Sequence, residues 1–168
     1  MNSKKYDGVD HPVRHVTDLK DIIVSSTTMF ADKAAYLQKD RPNGTFRPIY
    51  YKQVKKDMDA LGTKFVEMGL KDKKIAVIGE TSYFWFLSYF ATVCGTGVIV
   101  PLDRKLPPDE IKTLINRSHA DAIVFSQQVE ESVEPLFDEP YNLRYFIDMN
   151  AEKDTDPTRS LRKLIAEG

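Results

Sequence analysis

The sequence has few cysteines and almost no net charge. Cys94 is the only cysteine among 168 residues, so neither an intramolecular disulfide nor a thiolate metal site can form. The 24 Lys and Arg residues nearly balance the 25 Asp and Glu residues, which leaves a net charge of -1. Such a chain has no global field that attracts nucleic acid or an anionic membrane. Because the polar N-terminus also lacks the apolar segment of a signal peptide, we expect a cytoplasmic protein.

An uncharged run extends from Thr81 to Leu102, although the sequence lacks an unbroken apolar segment of membrane-spanning length. A spanning helix needs about 20 consecutive apolar residues. Here Gly95-Thr96-Gly97 interrupts the run, and Pro101 would break a helix near its end. The first part is aromatic and the second is β-branched. The run therefore predicts a helix, a helix-ending turn and a buried strand rather than a transmembrane segment.

The first third of the chain predicts a tail, a helix and a hairpin. We expect a flexible tail over 1–16 and a helix that starts near Thr17. Two extended segments, around 34–38 and 46–50, flank Arg41-Pro42-Asn43-Gly44, and this turn chemistry predicts a β-hairpin. The predicted first helix carries its apolar residues on one face, namely Leu19, Ile22, Ile23, Met29 and Phe30.

The rest of the chain alternates between helical patterns and short apolar runs. A helix over about 52–68 carries an apolar stripe that ends before Gly69. Four apolar runs follow, at 75–78, 98–100, 122–125 and 143–147, and amphipathic patterns fill the gaps. Continuous apolar strands separated by helices predict an α/β fold with a parallel sheet and crossover helices.

The domain prediction follows from these patterns. We expect 17–148 to form an incomplete N-terminal α/β domain. The segment 149–168 predicts a polar linker and then a short helix from Ser160, at a truncated end. A chain that ends on a helix with three apolar residues is consistent with an interruption within a domain. Exposed sheet edges and uncovered apolar surface would then promote self-association.

Ligands of open parallel sheets bind beyond the carboxyl ends of the strands. Four loops follow the predicted strands, namely 79–82, 101–105, 126–128 and 148–150. Thr81 or Ser82 can cap the following helix, or the same helix N-terminus can hold an anion. Asp103 can bind a substrate or stabilise its own loop, and we favour the loop role.

Recognised nucleotide and metal signatures are absent from the sequence. No glycine-rich turn between a strand and a helix matches a dinucleotide fingerprint or a P-loop. His11 and His15 have helical metal-ligand spacing, but Pro12 argues against a formed site. No Ser, Cys or Lys has a recognisable base partner in the sequence. From the residues alone, the chain predicts a fold and no reaction.

Three stretches carry a resemblance to the acyl-adenylate-forming superfamily, which includes acyl-CoA synthetases, firefly luciferases and peptide-synthetase adenylation domains. Residues 49–54 resemble its first core motif, 69–77 resemble the turn into its first long parallel strand, and 97–103 resemble its second core motif. Residues 80–85 and 104–107 look most like bacterial long-chain fatty acid-CoA ligases. Tyr50 departs from the capping Thr or Ser of the family, and Thr96 departs from its usual Gly.

The resemblance implies an enzyme that joins a carboxylic acid to ATP and then to CoA, with Mg²⁺ supporting the first step. It covers most of this chain but only about a third of such a ligase. The phosphate loop, adenine-binding strand, metal-binding Glu, hinge and catalytic Lys of the family lie further downstream. We therefore expect the fragment to have no catalytic residue, to be inactive alone, and to bind none of these cofactors tightly.

The resemblance also implies a scaffold role in which Tyr83 and Trp85 line an acyl or CoA tunnel. The simpler interpretation is that both are core aromatics on a helix face. Two other functions remain open, a stand-alone α/β module that binds a small molecule or a protein, and an adenylation domain of a peptide synthetase.

Overall fold

The computed structural model describes residues 14–39, 43–138 and 142–168. Its helices are α1 (Leu19–Met29), α2 (Tyr51–Glu67), α3 (Tyr83–Ala91), α4 (Pro108–Ser118), α5 (Glu130–Val133) and α6 (Leu161–Glu167). Its strands are β1 (Ala34–Lys39), β2 (Phe46–Tyr50), β3 (Lys74–Ile78), β4 (Val98–Leu102), β5 (Ala122–Phe125), β6 (Tyr145–Asp148) and β7 (Thr158–Ser160). A π-helical turn (Thr92–Thr96) follows α3, and short 3₁₀ turns (Gln127–Val129 and Glu134–Leu136) flank α5.

The strands form two sheets. β1 and β2 form an antiparallel hairpin, as the sequence predicts. The other five strands form a parallel sheet in the order β4-β3-β5-β6-β7. Helices cross between the parallel strands, so the predicted α/β fold class is confirmed. The turn residues Arg41 and Pro42 lie outside the described residues.

Side chains alternate between two cores on either side of the parallel sheet. In β3, Ile75 and Val77 join the core under α1, α2, α3 and α6. Ala76 and Ile78 join the opposite core, under α4 and α5. Because both faces are covered, Ile75 through Ile78 are all fully buried. A strand buried on both sides needs a continuous apolar run rather than an alternating one.

Helix α2 lies against α1, α3 and α6 at the centre of the first core. Its buried stripe consists of Val54, Met58, Leu61 and Phe65, at the positions that the sequence pattern indicates. Tyr50 occupies the N-cap position and its side chain makes no capping hydrogen bond. The first amides of α2 are satisfied otherwise, since Tyr51 N and Lys52 N donate to the carbonyls of Lys33 and Ala31 at 3.1 and 3.0 Å. Gly69 follows the helix with φ +73°, which suits glycine.

Fewer residues of helix α1 are buried than its one-sided apolar pattern predicts. It begins at Leu19 rather than near Thr17, because Asp18 is its N-cap and accepts a hydrogen bond from the Asp21 amide at 2.7 Å. Among the apolar residues of its predicted face, Ile23 is buried, whereas Leu19 is 43% and Met29 is 60% exposed. The contacts of α1 are with α2, α3 and the π-helical turn that follows α3.

The segment 149–168 contains a strand that the sequence pattern does not predict. β7 has three residues and pairs with β6, and α6 follows with Ser160 as its N-cap. The sequence pattern does not indicate β7 because the buried residues of this strand, Thr158 and Ser160, are polar. The Ser160 hydroxyl donates to the Ala151 carbonyl, and the Ser160 amide donates to Asp154 at 2.9 Å. These bonds satisfy polar groups that would otherwise be costly to bury.

Within the described ranges, none of the helices has both the length and the hydropathy of a membrane span. The uncharged run from Thr81 to Leu102 instead forms α3, the π-helical turn and β4. Gly95-Thr96-Gly97 thus contributes to a helix-ending turn, as predicted. Buried Thr96 donates to the Ala91 carbonyl at 2.9 Å, so the residue that departs from the family's Gly has a packing role.

Candidate functional site at the carboxyl edge of the sheet

The strand order creates a switch point between β3 and β5. From β3 the chain crosses outward to β4, and from β4 it returns past β3 to β5 before continuing to β6. The loops after β3 and β5 therefore leave the sheet in opposite directions. In open parallel sheets, the crevice at such a switch point is the usual ligand site.

At this switch point a hydrogen bond joins the loops after β3 and β5. The Ser126 hydroxyl donates to the Glu80 carboxylate, although the two residues are 46 positions apart in the sequence. Gly79 has φ +151°, and a Cβ placed there would lie 2.6 Å from Ser126 Oγ. The close approach of the two loops therefore requires glycine at position 79.

The loop after β6 joins the same network. The Asn150 side-chain oxygen accepts from the Gln127 amide at 3.0 Å, and the Asn150 amide donates to Asp148 Oδ1 at 2.6 Å. Asp148 is buried, and it lies near enough to Glu130 to affect that group electrostatically. Burial first, and then the carboxylates of Asp148 and Glu134, raise the pKa of Glu130 above its ordinary value.

The loop after β4 stands apart from these bonds. Asp103 Oδ1 accepts from the Lys105 amide at 2.9 Å, which is a turn within the loop itself. This contact supports the predicted loop role of Asp103. Three of the four predicted loops are therefore joined by side-chain hydrogen bonds, through the Glu80–Ser126 and Asn150–Gln127 contacts.

An aromatic cleft of about 480 Å³ lies beside this edge, between β1 and the start of α3. Tyr83 and Trp85, the two predicted site residues, both line it, together with Tyr36 and Phe86. Tyr83 is only 7% exposed and donates to Asp57 Oδ2 at 2.7 Å, which joins α3 to α2. Trp85 is half-buried and stacks on Tyr89 at 5.7 Å. Tyr83 is therefore a core residue that reaches the cleft, whereas Trp85 remains available at its surface.

Tyr36 and Tyr83 stay protonated through the ordinary pH range. Burial, followed by the hydrogen bond to Asp57, raises the pKa of Tyr83 well above its usual value. Burial also raises the pKa of Tyr36, whose ring contacts Tyr83 at 5.3 Å and Phe86 at 5.0 Å. Both hydroxyls can serve as hydrogen-bond donors, but neither is poised as a base.

The contacts at the start of α3 support helix capping rather than anion binding. Ser82 Oγ accepts from the Trp85 amide at 3.2 Å, and Thr81 lines the cleft. In residues 14–39, 43–138 and 142–168, no three His, Cys, Asp or Glu side chains are grouped to hold a metal ion. His11 lies outside these residues. Cys94 is half-buried, and burial raises the pKa of its thiol, which does not favour a reactive thiolate.

The sequence pattern indicates the loops, but it indicates neither the contact between Glu80 and Ser126 nor the position of Tyr36 in the cleft. Glu80 and Ser126 both lie in loops that follow apolar strands, but their pairing depends on the strand order. Tyr36 enters the cleft from the hairpin, and no local pattern indicates which helix a hairpin packs against.

Comparison with known proteins agrees with this architecture. The AMP-binding enzyme family matches residues 25–164. No curated protein matches the chain. Among solved structures, an anthranilate CoA ligase in complex with anthranoyl-AMP is similar, with a TM-score of 0.75 and 18% identity. That match covers 88% of this chain and 26% of the ligase.

Two other solved structures show the same fold. A long-chain-fatty-acid-CoA ligase from Archaeoglobus fulgidus has a TM-score of 0.71 and 16% identity, over 89% of this chain and 29% of that one. The A domain of a carboxylic acid reductase from Segniliparus rugosus, in complex with AMP, has a TM-score of 0.73 and 16% identity, over 88% and 30%. This chain thus spans between a quarter and a third of their lengths. With a family match over most of its residues and the N-terminal fold of adenylate-forming ligases, the chain belongs to the AMP-binding enzyme family.

Proposed function

We propose that this chain is the N-terminal part of an ATP-dependent acyl-CoA ligase whose substrate is a fatty acid. The observation that carries the proposal is the family match over residues 25–164, on a fold that corresponds to under a third of each ligase described above. The three sequence motifs and their order support the CoA ligase assignment. The stretches 80–85 and 104–107 support the fatty acid.

The proposed reaction has two steps. The substrate carboxylate attacks the α-phosphorus of ATP, and the bond to pyrophosphate breaks to leave an acyl-adenylate. The CoA thiol then loses its proton and attacks the acyl carbon, and AMP leaves as the thioester forms. Mg²⁺ would offset the phosphate charge in the first step. Among the described residues no three His, Cys, Asp or Glu side chains are grouped to hold a metal ion, and we assign neither step to a residue of this chain.

The proposed contribution of this chain is a scaffold and one wall of a channel. The cleft between β1 and α3 is lined by aromatic rings and lies next to the switch-point edge. Trp85 presents its half-buried ring there, while Tyr83 holds α3 on α2 through Asp57. We infer that Trp85 contacts the acyl chain or the pantetheine arm and that Tyr83 positions the wall.

The isolated 168-residue chain should not catalyse the first step. We expect no carboxylate-dependent exchange of pyrophosphate into ATP, because no stretch of the sequence resembles the family's phosphate loop. The matched measurement uses the same chain extended through the downstream reading frame, with long-chain fatty acids and anthranilate as competing substrates. Exchange by the pure 168-residue chain would overturn the proposed inactivity. A downstream frame without a Ser/Thr/Gly-rich loop would favour the stand-alone binding module.

Two further proposals concern the surroundings of the chain. We infer a cytoplasmic location from the single cysteine, because low cysteine use is typical of a reducing compartment. We also infer self-association of the isolated chain, since β4 is an edge strand and its Val98 is 54% exposed. Light scattering across a concentration series checks this, and a monomer at the highest concentration would contradict it.

A further inference from the structure

A second cavity adjoins the aromatic cleft. It has a volume of about 300 Å³ and lies between α1, β1, α2 and α3. Of the described residues that line it, none is charged and most are apolar. We call this cavity the α1 chamber. The apolar side chains that line it from the three helices include Ile22, Ile23, Val54 and Phe90.

Two aromatic rings separate the α1 chamber from the aromatic cleft. Tyr36 of β1 and Phe86 of α3 line both cavities, and their ring centres lie 5.0 Å apart in an edge-to-face contact. Rings at this separation touch each other, so no hydrocarbon chain passes between them. We call Tyr36 and Phe86 the ring pair. It closes the aromatic cleft on the side of α1.

Each member of the ring pair has a second aromatic neighbour. The Tyr36 ring lies 5.3 Å from that of Tyr83, which is joined to α2 by its hydrogen bond to Asp57. The Phe86 ring lies 4.4 Å from that of Phe90, one turn further along α3. Packing on both sides therefore holds the two rings in contact, and the boundary between the cavities is part of the folded core.

Trp85 lies on the cleft side of this boundary. It lines the aromatic cleft and is not among the residues that line the α1 chamber. It is also the only tryptophan of the chain. The tryptophan fluorescence of the unchanged protein therefore reports on the aromatic cleft alone, without an introduced label.

We propose that the ring pair sets the length of the hydrocarbon chain that the aromatic cleft accepts. The inference rests on the proposed function, and it names Tyr36 and Phe86 as the residues that select among fatty acids. A chain that lies along Trp85 would bury its methylene groups as far as the ring pair. Further methylene groups would remain in water and would add nothing to the affinity, because only apolar surface that leaves water contributes.

The two cavities differ in the role that this proposal gives them. The aromatic cleft, at about 480 Å³, lies within the usual range of ligand sites, and rings form much of its lining. The α1 chamber is closed off by the ring pair, and its uncharged lining suits an apolar group rather than a polar one. Removal of one ring would join the chamber to the cleft, which would then accept a longer chain.

The test titrates the 168-residue chain with saturated fatty acids from hexanoate to palmitate, below the concentrations at which they form micelles. Trp85 fluorescence measures binding. For the unchanged chain, we expect affinity to rise about 4-fold with each methylene group and then to reach a plateau. For Phe86→Ala, the rise should continue past that length and exceed the plateau by at least ~10-fold for the longest acids.

Two further variants separate this effect from a loss of structure. Phe86→Ala/Ala35→Phe returns a ring to the α1 chamber from β1, because Ala35 lines the chamber, and it should restore the plateau. Phe84→Ala removes a ring from the same helix at a position that lines neither cavity and lies beside Arg162. It should keep the plateau of the unchanged chain. Circular dichroism before each titration establishes that a variant is folded.

Three outcomes would overturn the proposal. They are an unchanged plateau in folded Phe86→Ala, an equal extension in Phe84→Ala, and a Trp85 signal that responds to pantetheine and to no fatty acid. The titration contains neither ATP nor CoA, so each of these leaves the ligase assignment to the pyrophosphate exchange of the extended chain. A plateau that Phe86→Ala extends, without exchange by the extended chain, would support the ring pair and contradict the proposed function.

Discussion

The parallel sheet and the hairpin are both β-structure, yet they bury their residues in different ways. All four residues of β5 are fully buried, and helices cover both faces of the strand. In β2, only Ile49 is partly buried, and its four other residues are exposed. One strand is thus stabilised by its own burial, and the other by attachment of a single face to α2 and α3.

The difference shows that strand propensity and strand stability are separate properties. A two-stranded ribbon is at best marginal in water and persists where a neighbour covers one face. Tyr36 provides that neighbour contact through Tyr83 and Phe86. A change on the exposed face of the hairpin therefore disturbs no core, whereas a change on either face of the parallel sheet disturbs one.

The largest expected effect compares two phenylalanines in these regions. Phe125→Ala in β5 should lower the free energy of unfolding by about 3–5 kcal/mol, because the removed ring is fully buried and leaves a cavity. Phe46→Ala in β2 should cost below about 1 kcal/mol, because that ring is 57% exposed. Urea denaturation followed by circular dichroism measures both. Equal losses would contradict the distinction between the regions.

A smaller effect tests how closely the sheet is packed at its edge. Gly97→Ala should destabilise by about 1–3 kcal/mol, because its Cβ would lie 2.2 Å from the Lys73 carbonyl oxygen. Gly62→Ala is the matched control, since its Cβ would meet Thr96 Oγ1 at an ordinary 3.6 Å within helix α2. It should leave the protein as stable or up to ~1 kcal/mol more stable. If Gly97→Ala had a higher melting temperature than Gly62→Ala, the packing argument would be refuted.

The smallest expected effect lies at the junction of the regions. Tyr83→Phe should cost about 1 kcal/mol at pH 7, because it removes the donor to the half-buried Asp57 carboxylate. A raised pKa in the folded protein adds stability below the unfolded pKa of about 10, and this stability is lost as pH rises. The unchanged chain should therefore lose stability above pH 10 more steeply than Tyr83→Phe.

Urea midpoints between pH 7 and 11 measure this dependence. Tyr89→Phe is the control. The Tyr89 ring stacks on Trp85, whereas the hydroxyl that donates to Asp57 belongs to Tyr83. It should follow the pH profile of the unchanged chain. Identical profiles for Tyr83→Phe and the unchanged chain would show that the buried hydroxyl does not couple to folding.

Much of the fold could be predicted because its signals are local. The apolar stripe of α2 and the continuous runs of β3, β4 and β5 each report their own burial. β7 escaped prediction because Thr158 and Ser160 are buried with polar side chains, and the hydrogen-bond partners of Ser160 lie in the turn from Ala151 to Asp154. No periodicity marks a strand whose buried groups are satisfied by hydrogen bonds.

The candidate site was predictable as a set of loops and not as a set of contacts. Ligand-bearing loops follow from the parallel sheet itself, and capping chemistry indicated Thr81 or Ser82, of which the structure selects Ser82. The bond between Ser126 and Glu80 could not be predicted, because it requires β3 and β5 to be neighbours while β4 lies outside them. The resemblance to the superfamily rested on motif order, which a sequence alone can display, and the family match over residues 25–164 confirmed it.

By itself, the sequence determined the α/β class, the identity of most elements and the membership of a family, because periodicity, turn chemistry and motif order are written along the chain. The tertiary structure alone decided the strand order, the closeness of Glu80 to Ser126 and the face on which Leu37, Phe46 and Tyr50 lie exposed. These features depend on which parts of the chain come into contact when it folds. Composition averages the basic segment 32–52 against the acidic remainder, and the register of the hairpin decides which of its residues share a face.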